Sequence, residues 1–242
     1  MAKMTLDDLA TQLRAAYPGA LRAVVLYGSA AGGEHHAKHS DQNVLVIVRA
    51  LSLEAMRAAG AVARAWRENG NPPPLTLTES EWQSSVDVFA MEHADIRERH
   101  KVLFADAGYD LFAGIRVQAR DIRQQLEYEA MATLLGVRGR ILASDGSGKE
   151  HVALLTTSAS RVLAIFRALL RLLNDPPAAD HEAMCRAVAA RAGFDPAPFV
   201  AVVAHRRETT KLAGEQVTST LAGYHAGLER LVAYLDTLPV VD

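Results

Sequence analysis

The chain has 242 residues, of which 50% are hydrophobic and 22% are charged. It is therefore long enough for one large domain or two domains of ordinary size. Its formal net charge of -2 excludes a generic nucleic-acid surface and a charged disordered chain, because both require a strong charge imbalance.

The start of the chain and its single cysteine predict a cytoplasmic protein. The N-terminal segment lacks the uninterrupted apolar stretch of a secretory signal. Cys185 has no second cysteine with which to form an internal disulfide, which fits a reducing compartment. Residues 162–173 are mostly apolar, but Arg167 and Arg171 interrupt them and the segment is too short to span a bilayer. We therefore expect no membrane partner.

Short β-rich runs alternate with helical segments over the first part of the chain. Thr5 is a suitable cap for a first helix, and a second helix is predicted over residues 53–68, before an Asn-Gly-Asn segment and three prolines that end it. Apolar runs bounded by turn residues predict four strands, at residues 21–27, 43–48, 75–78 and 86–96. The pattern predicts an α/β domain with a mixed sheet over residues 1–108.

Long helical patterns fill the rest of the chain. Apolar stripes at helical spacing run through residues 122–142 and 152–173. Further helices are predicted near residues 181–192, 196–212 and 217–238. We therefore expect residues 109–242 to form an antiparallel bundle of about four or five helices.

Polar residues with binding potential lie between the first two predicted strands. Gly28 and Ser29 follow the first strand, where a glycine lets the backbone approach a ligand closely. Ser40 and Asp41 open the second strand, and the alternation of side chains places Asp41 and Asn43 on one face. Two such side chains could share a metal ion that also contacts a phosphate at the Gly-Ser turn.

These residues resemble the signature of the DNA polymerase beta-like nucleotidyltransferase superfamily. The similar elements are Tyr27-Gly28-Ser29, then Gly33, then Ser40-Asp41-Gln42-Asn43 before the apolar run VLVIV. The two-domain layout also resembles that of the bacterial aminoglycoside nucleotidyltransferases. The resemblance implies transfer of a nucleotidyl group from a nucleoside triphosphate to a hydroxyl acceptor, assisted by Mg²⁺ ions.

The resemblance also assigns roles to individual residues. It implies that Gly28 and Ser29 contact the phosphates, together with Ser40, and that Asp41 is a metal ligand. Lys38 lies beside this predicted phosphate site and could meet the triphosphate through its charge.

A third carboxylate is implied on a later strand, and two candidates lie in residues 86–96. Asp87 is near the entrance of this predicted strand, and Glu92 is near its middle. We favour Glu92, because an acid within an apolar strand is costly to bury without a cation partner. The predicted metal ligands are Asp41, Asn43 and Glu92, with Asp41 and Glu92 as the catalytic acids.

Asn43 stands where the resembling family has a second acid. An amide oxygen can ligate a cation, but it brings no negative charge and cannot act as a base. Two functions follow: a nucleotidyltransferase that still works with this set of ligands, or a catalytically inactive nucleotide-binding or interaction module.

The helical half offers candidate residues for an acceptor pocket. The resemblance implies that this domain shapes the pocket for a small-molecule or protein acceptor and that two subunits can complete it, so a homodimer is one expectation. Arg120 with Arg123, and Arg167 with Arg171, could clamp a phosphate or form salt bridges on a solvated surface. Aromatic and acidic candidates for the pocket lining are Tyr128, Tyr224 and Glu127.

Overall fold

The computed structural model describes residues 3–32, 42–175, 178 and 180–239. They form two compact units, Met1–Val117 and Gln118–Asp242. The first unit contains a four-stranded mixed sheet in the order β3-β2-β1-β4. Its strands are β1 (Leu21–Tyr27), β2 (Asn43–Val48), β3 (Leu75–Thr78) and β4 (His100–Ala105). Strand β1 is antiparallel to β2 and β4, and β2 is parallel to β3.

In the described part of the first unit, four α-helices accompany this sheet, and three of them begin at side-chain caps. The helices are α1 (Leu6–Ala16), α2 (Leu53–Glu68), α3 (Glu79–Ser84) and α4 (Ala90–Glu98). Thr5 caps α1 in a reciprocal pair with Asp8, and Ser52 accepts a hydrogen bond from the Ala55 N–H at 3.1 Å. Thr78 caps α3 in the same reciprocal way. The first three predicted strands and helix α2 are confirmed.

The predicted strand over residues 86–96 is wrong. That segment contains the start of helix α4, and the fourth strand follows it at His100–Ala105. The buried residues of α4 are Ala90, Met91, His93, Ala94 and Ile96. They lie at positions i, i+1, i+3, i+4 and i+6 and therefore share one helical face. Among the described strands, β4 comes last in the order of the sheet, next to β1, and is half exposed. Its sequence therefore lacks the continuous apolar run of a buried strand.

Apolar layers cover both faces of the sheet. One layer joins α1 and α2 to one face through residues that include Leu9, Trp66, Leu26 and Val46. The other layer joins Trp82 and Ile96 to the opposite face, and it includes residues beyond β4. Its buried members are Ala23, Val25, Leu45, Ile47, Trp82, Ile96, Leu111 and Ile115. The first unit therefore includes residues that follow the predicted boundary at residue 108.

A charged network ties the start of β1 to the end of β4. Arg22 Nε donates to Glu79 Oε1 at 2.8 Å, and Arg22 Nη1 donates to Asp106 Oδ2 at 2.5 Å. Arg49 also donates to Asp106, at 3.0 Å. These hydrogen bonds hold the pKa of the Asp106 carboxyl below its usual range, through Arg22 first and Arg49 second. The network lies at the opposite end of β1 from Tyr27.

The second unit is helical over its described residues. Its helices are α5 (Ala119–Ala143), α6 (Gly148–Leu172), α7 (His181–Ala192), α8 (Ala197–Arg206) and α9 (Glu215–Thr237). An aromatic cluster joins α6, α8 and α9, with ring centroids 4.6 to 6.0 Å apart: Phe166, Phe194, Phe199 and Tyr224. A Cβ on Gly227 would lie 2.4 Å from the Phe199 ring, so glycine permits the close approach of α8 and α9.

Helix α6 is the core helix of this unit. It is long and apolar enough to cross a membrane by length and composition alone. However, Leu155, Ile165 and Phe166 are fully buried within the unit, and Arg167 is buried as well, as expected of a core helix. Cys185 is also buried, which raises its pKa to about 12. A thiol with this pKa is unreactive near neutral pH.

Candidate functional site

A tight turn follows β1 at the end of the sheet. Gly28 has φ = 78°, a left-handed conformation that glycine adopts without the strain imposed on other residues. Gly28–Ala30 then form one 3₁₀ turn, and the Gly28 carbonyl accepts the N–H groups of Ala31 and Gly32, each at 3.1 Å. The backbone therefore forms a hydrogen-bonded turn at the predicted Gly-Ser position. We call the edge of the sheet beside it the Gly28 end.

Asn43 lies at the Gly28 end, on the neighbouring strand. It is directly opposite Tyr27 in the β1–β2 pairing, and a Cβ added to Gly28 would lie 3.6 Å from Asn43 Nδ2. Since side chains alternate along a strand, Asn43 shares the face of Leu45 and Ile47, which helix α4 covers. The amide therefore lies beside the turn and towards α4.

Glu92 lies on helix α4 instead of on a strand. It is an exposed residue in the first turn of that helix. The pKa of the Tyr27 hydroxyl is raised, mainly by burial and further by the negative charge of Glu92. The Glu92 carboxylate therefore acts on the Tyr27 hydroxyl through its charge. Asp87, the other candidate for the third acid, is exposed in the loop before α4.

His93 anchors the helix that carries Glu92. Its ring stacks on Trp82 with centroids 3.8 Å apart, and its Nε2 lies 3.3 Å from Ser85 Oγ. Trp82 in turn donates from Nε1 to the Leu111 carbonyl at 2.8 Å. Burial lowers the pKa of His93 to about 4, so the ring is neutral near pH 7. These contacts fix the first turn of α4 against the sheet.

The structure places His100, which sequence reasoning missed, at the Gly28 end. His100 is the first residue of β4 and lies opposite Tyr27 in the β1–β4 pairing. Its ring contacts Phe112 edge-on at 4.8 Å, and its Nδ1 is buried without a hydrogen-bond partner in the part of the chain that the structure describes. The sequence gives no local signal for this placement, because it depends on the start of β4.

Three predicted site residues lie outside the described residues, namely Lys38, Ser40 and Asp41. Their predicted roles therefore stay predictions. Over the described ranges there is no group of three or more His, Cys, Asp or Glu side chains that could hold a metal ion. At the Gly28 end, the described oxygen donors comprise the Asn43 amide and the Glu92 carboxylate.

The bundle candidates have mainly structural contacts. Arg123 donates to Glu127 at 2.9 Å and to the Leu238 carbonyl at 2.5 Å, so it ties α5 to the end of α9. Tyr224 is 1% exposed, and its hydroxyl lies 3.0 Å from Ser158 Oγ. A side chain this buried does not line an open pocket. Tyr128 is 69% exposed.

Comparison with known proteins identifies the architecture. No family model and no curated protein matches the sequence. Among solved structures, the chain is similar to the spectinomycin adenyltransferase AAD(9) from Enterococcus faecialis, which was solved with ATP and spectinomycin. The TM-score is 0.58 at 13% sequence identity, over 91% of this chain and 96% of that chain. The chain therefore has a nucleotidyltransferase-like fold, with an N-terminal mixed-sheet region followed by a helical part.

Proposed function

We propose that the protein binds a nucleoside triphosphate with Mg²⁺ at the Gly28 end of the sheet and transfers a nucleotidyl group to a hydroxyl acceptor. The observation that carries this proposal is the convergence of three features from separate parts of the chain: the Gly28–Ser29 turn, Asn43 and Glu92. The similar solved structure, which contains ATP, supports a nucleotide as the ligand.

The proposed roles follow from the chemistry of these groups. The Gly28–Ser29 turn offers the Ser29 N–H and hydroxyl, which suit phosphate oxygens, whereas the Gly28 N–H already donates to the Arg99 carbonyl. Ser40 and Lys38 are further proposed phosphate contacts. Glu92 is exposed to solvent, so an acceptor hydroxyl can reach it.

Oxygen donors such as Asn43 and Glu92 fit a Mg²⁺ ion that retains water and phosphate ligands. Asp41 would complete this set of ligands. Bound Mg²⁺ would neutralise phosphate charge and orient the triphosphate. The amide of Asn43 supplies an oxygen without charge, so the negative charge of the site comes from Asp41 and Glu92.

We place the acceptor site in the helical unit, Gln118–Asp242, and the protein in the cytoplasm. The acceptor is a small molecule or a protein that presents a hydroxyl group. The exposed ring of Tyr128 is a candidate contact for it. A homodimer that completes this site remains part of the proposal.

Asn43 favours a second candidate function, a catalytically inactive module that binds nucleotides. Its amide occupies the position beside Gly28 where the resembling family has an acid. A site with one fewer negative charge compensates less of the repulsion between two divalent cations. Nucleotide binding would then persist without turnover.

Binding and turnover should be measured separately to test both functions. Isothermal titration with ATP, GTP, CTP and UTP, with and without Mg²⁺, should give saturable binding by the wild type. Binding should be weakened in Asp41→Ala and Glu92→Gln. Release of pyrophosphate in the presence of a panel of hydroxyl acceptors then separates an active enzyme from a silent module. Absence of binding to all four nucleotides would rule out both functions.

A further inference from the structure

Arg99 contacts the Gly28–Gly32 turn through both its backbone and its side chain. The Gly28 N–H donates to the Arg99 carbonyl at 3.1 Å. A Cβ added to Gly32 would lie 3.3 Å from Arg99 Cδ, which is tighter than an ordinary van der Waals contact. The aliphatic stem of Arg99 therefore lies against the turn, and Gly32 provides the space for it.

The pairing of β4 with β1 fixes this position. Arg99 ends helix α4 and precedes His100, which lies opposite Tyr27. Its N–H donates to the Asp95 carbonyl at 2.9 Å. The stem of Arg99 is thus attached to two elements, the sheet and α4, so its position is set by the fold.

The charge of Arg99 is partly shielded from water. Its side chain is 19% exposed, and Nη2 lies 3.8 Å from Asp95 Oδ2. A charge at reduced exposure interacts with a nearby anion more strongly than a fully solvated charge does. Arg97, two residues earlier, is exposed and directs its Nη1 to the Ile115 carbonyl at 3.4 Å. The two arginines therefore have different surroundings.

We propose that Arg99 is a polyphosphate-recognition residue, which binds the phosphate oxygens of a nucleoside triphosphate seated on the Gly28–Gly32 turn. This inference rests on the proposed nucleotide-binding function. A guanidinium donates two parallel hydrogen bonds to phosphate oxygens, and Gly32 lets Arg99 lie beside the turn. The predicted ligand class is a molecule with two or more linked phosphates, and AMP should gain little from Arg99.

The test compares Arg99→Gln and Arg99→Lys with the wild type and with Arg97→Gln as the matched control. Affinities for ATP, AMP and inorganic tripolyphosphate are measured by isothermal titration, and the melting temperature without ligand reports folding. Loss of a charge-assisted bidentate contact should weaken binding of ATP and tripolyphosphate about tenfold or more in Arg99→Gln. Arg99→Lys should lie between this variant and the wild type, because lysine keeps the charge without the fork.

AMP affinity should change by less than about threefold in Arg99→Gln, a difference below 1 kcal/mol, and Arg97→Gln should bind all three ligands as the wild type does. Equal affinity of wild type and a folded Arg99→Gln for tripolyphosphate would overturn the inference and leave the proposed function standing. A wild type that binds neither ATP nor tripolyphosphate would overturn the proposed function itself. If Arg99→Gln does not fold, Arg99→Lys decides, and wild-type affinity for tripolyphosphate in that variant contradicts the bidentate contact.

Discussion

Tyr27 lies directly opposite Asn43 at the end of the sheet, and the charge of Glu92 acts on its hydroxyl. Three segments that are far apart in the sequence thus meet around one phenol. The ionisation of Tyr27 can be followed by ultraviolet absorption. It therefore reports the effect of the Glu92 charge on the phenol.

Replacing Glu92 with Gln should lower the pKa of Tyr27. Burial raises this pKa above 10.0 first, and the Glu92 carboxylate raises it further by opposing the phenolate. Removal of the carboxylate leaves burial alone, so the pKa should fall but stay above 10.0. Absorbance titration of metal-free protein, with Tyr27→Phe subtracted to isolate the phenol, measures the change.

Glu54→Gln, in the first turn of helix α2, is a suitable control for the loss of one carboxylate. An unchanged Tyr27 pKa in Glu92→Gln would mean that the carboxylate does not lie at the Gly28 end. The raised pKa also has a stability consequence. The folded state favours the neutral phenol, so its contribution is present below pH 10 and is lost as the pH rises through the folded pKa.

Gly28→Ala should weaken nucleotide binding at a modest cost in stability. At φ = 78° an alanine costs about 1 kcal/mol in backbone strain, and its Cβ would make an ordinary contact with Asn43 at 3.6 Å. Gly19→Ala is the matched control, because Gly19 has φ = 67° and nothing within 4 Å of an added Cβ. Urea unfolding should show similar losses for both variants, and titration with ATP should show weakened binding for Gly28→Ala alone. Equal ATP affinity in the two variants would contradict a role of the turn in phosphate binding.

The sequence predicted most of the sheet because its signals there are local. The apolar run of β1 ends at the Gly28 turn, and the prolines after Asn71 directly precede β3. The predicted bounds of β1, β2 and β3 agree with the structure. The failure at residues 86–96 has a physical cause. Val86, Val88 and Ala90 alternate as in a strand, but the α4 residues pack on Trp82 and the sheet, and tertiary packing overrides local β-propensity.

Part of the geometry of the candidate site is local and can be read from the sequence. Gly28 follows β1 and Asn43 begins β2, so the predicted pairing of these two strands is enough to place the two residues close together. The prediction of Glu92 as the third acid assumes burial within a strand, yet Glu92 is exposed on a helix. Arg99 and His100 join the Gly28 end through the register of β4 on β1, and register is a long-range property that a single sequence does not reveal.

Asn43→Asp should strengthen binding of a divalent cation. The new carboxylate adds one negative charge beside Gly28, and charged oxygen ligands raise the affinity for Mg²⁺ and Mn²⁺. We expect about tenfold tighter binding of Mn²⁺ in the presence of ATP, measured by isothermal titration. If the wild type is a silent module, pyrophosphate release should also appear in this variant.

Asn71→Asp is the control for the Asn43 variant, because Asn71 Oδ1 accepts the Gln42 N–H at 3.0 Å and a carboxylate can accept the same hydrogen bond. It adds an equal charge at a different position. Equal cation affinity in the two variants would place Asn43 outside the cation site. High wild-type turnover would instead exclude the silent module.

His93 should make the protein less stable in mild acid. Its ring is 1% exposed, stacked on Trp82, and has its pKa lowered from 6.5 to about 4 by burial. The folded state favours the neutral form of the ring. The contribution of His93 to stability is therefore complete above pH 6.5 and is lost as the pH falls towards 4, by roughly 3 kcal/mol in all.

His93→Phe keeps a ring on Trp82 but cannot be protonated. The free energy of unfolding in urea, measured at pH 7.0, 5.5 and 4.5, should therefore fall less steeply for His93→Phe than for the wild type. Parallel pH profiles of the two proteins would show that His93 is not held neutral in the folded state.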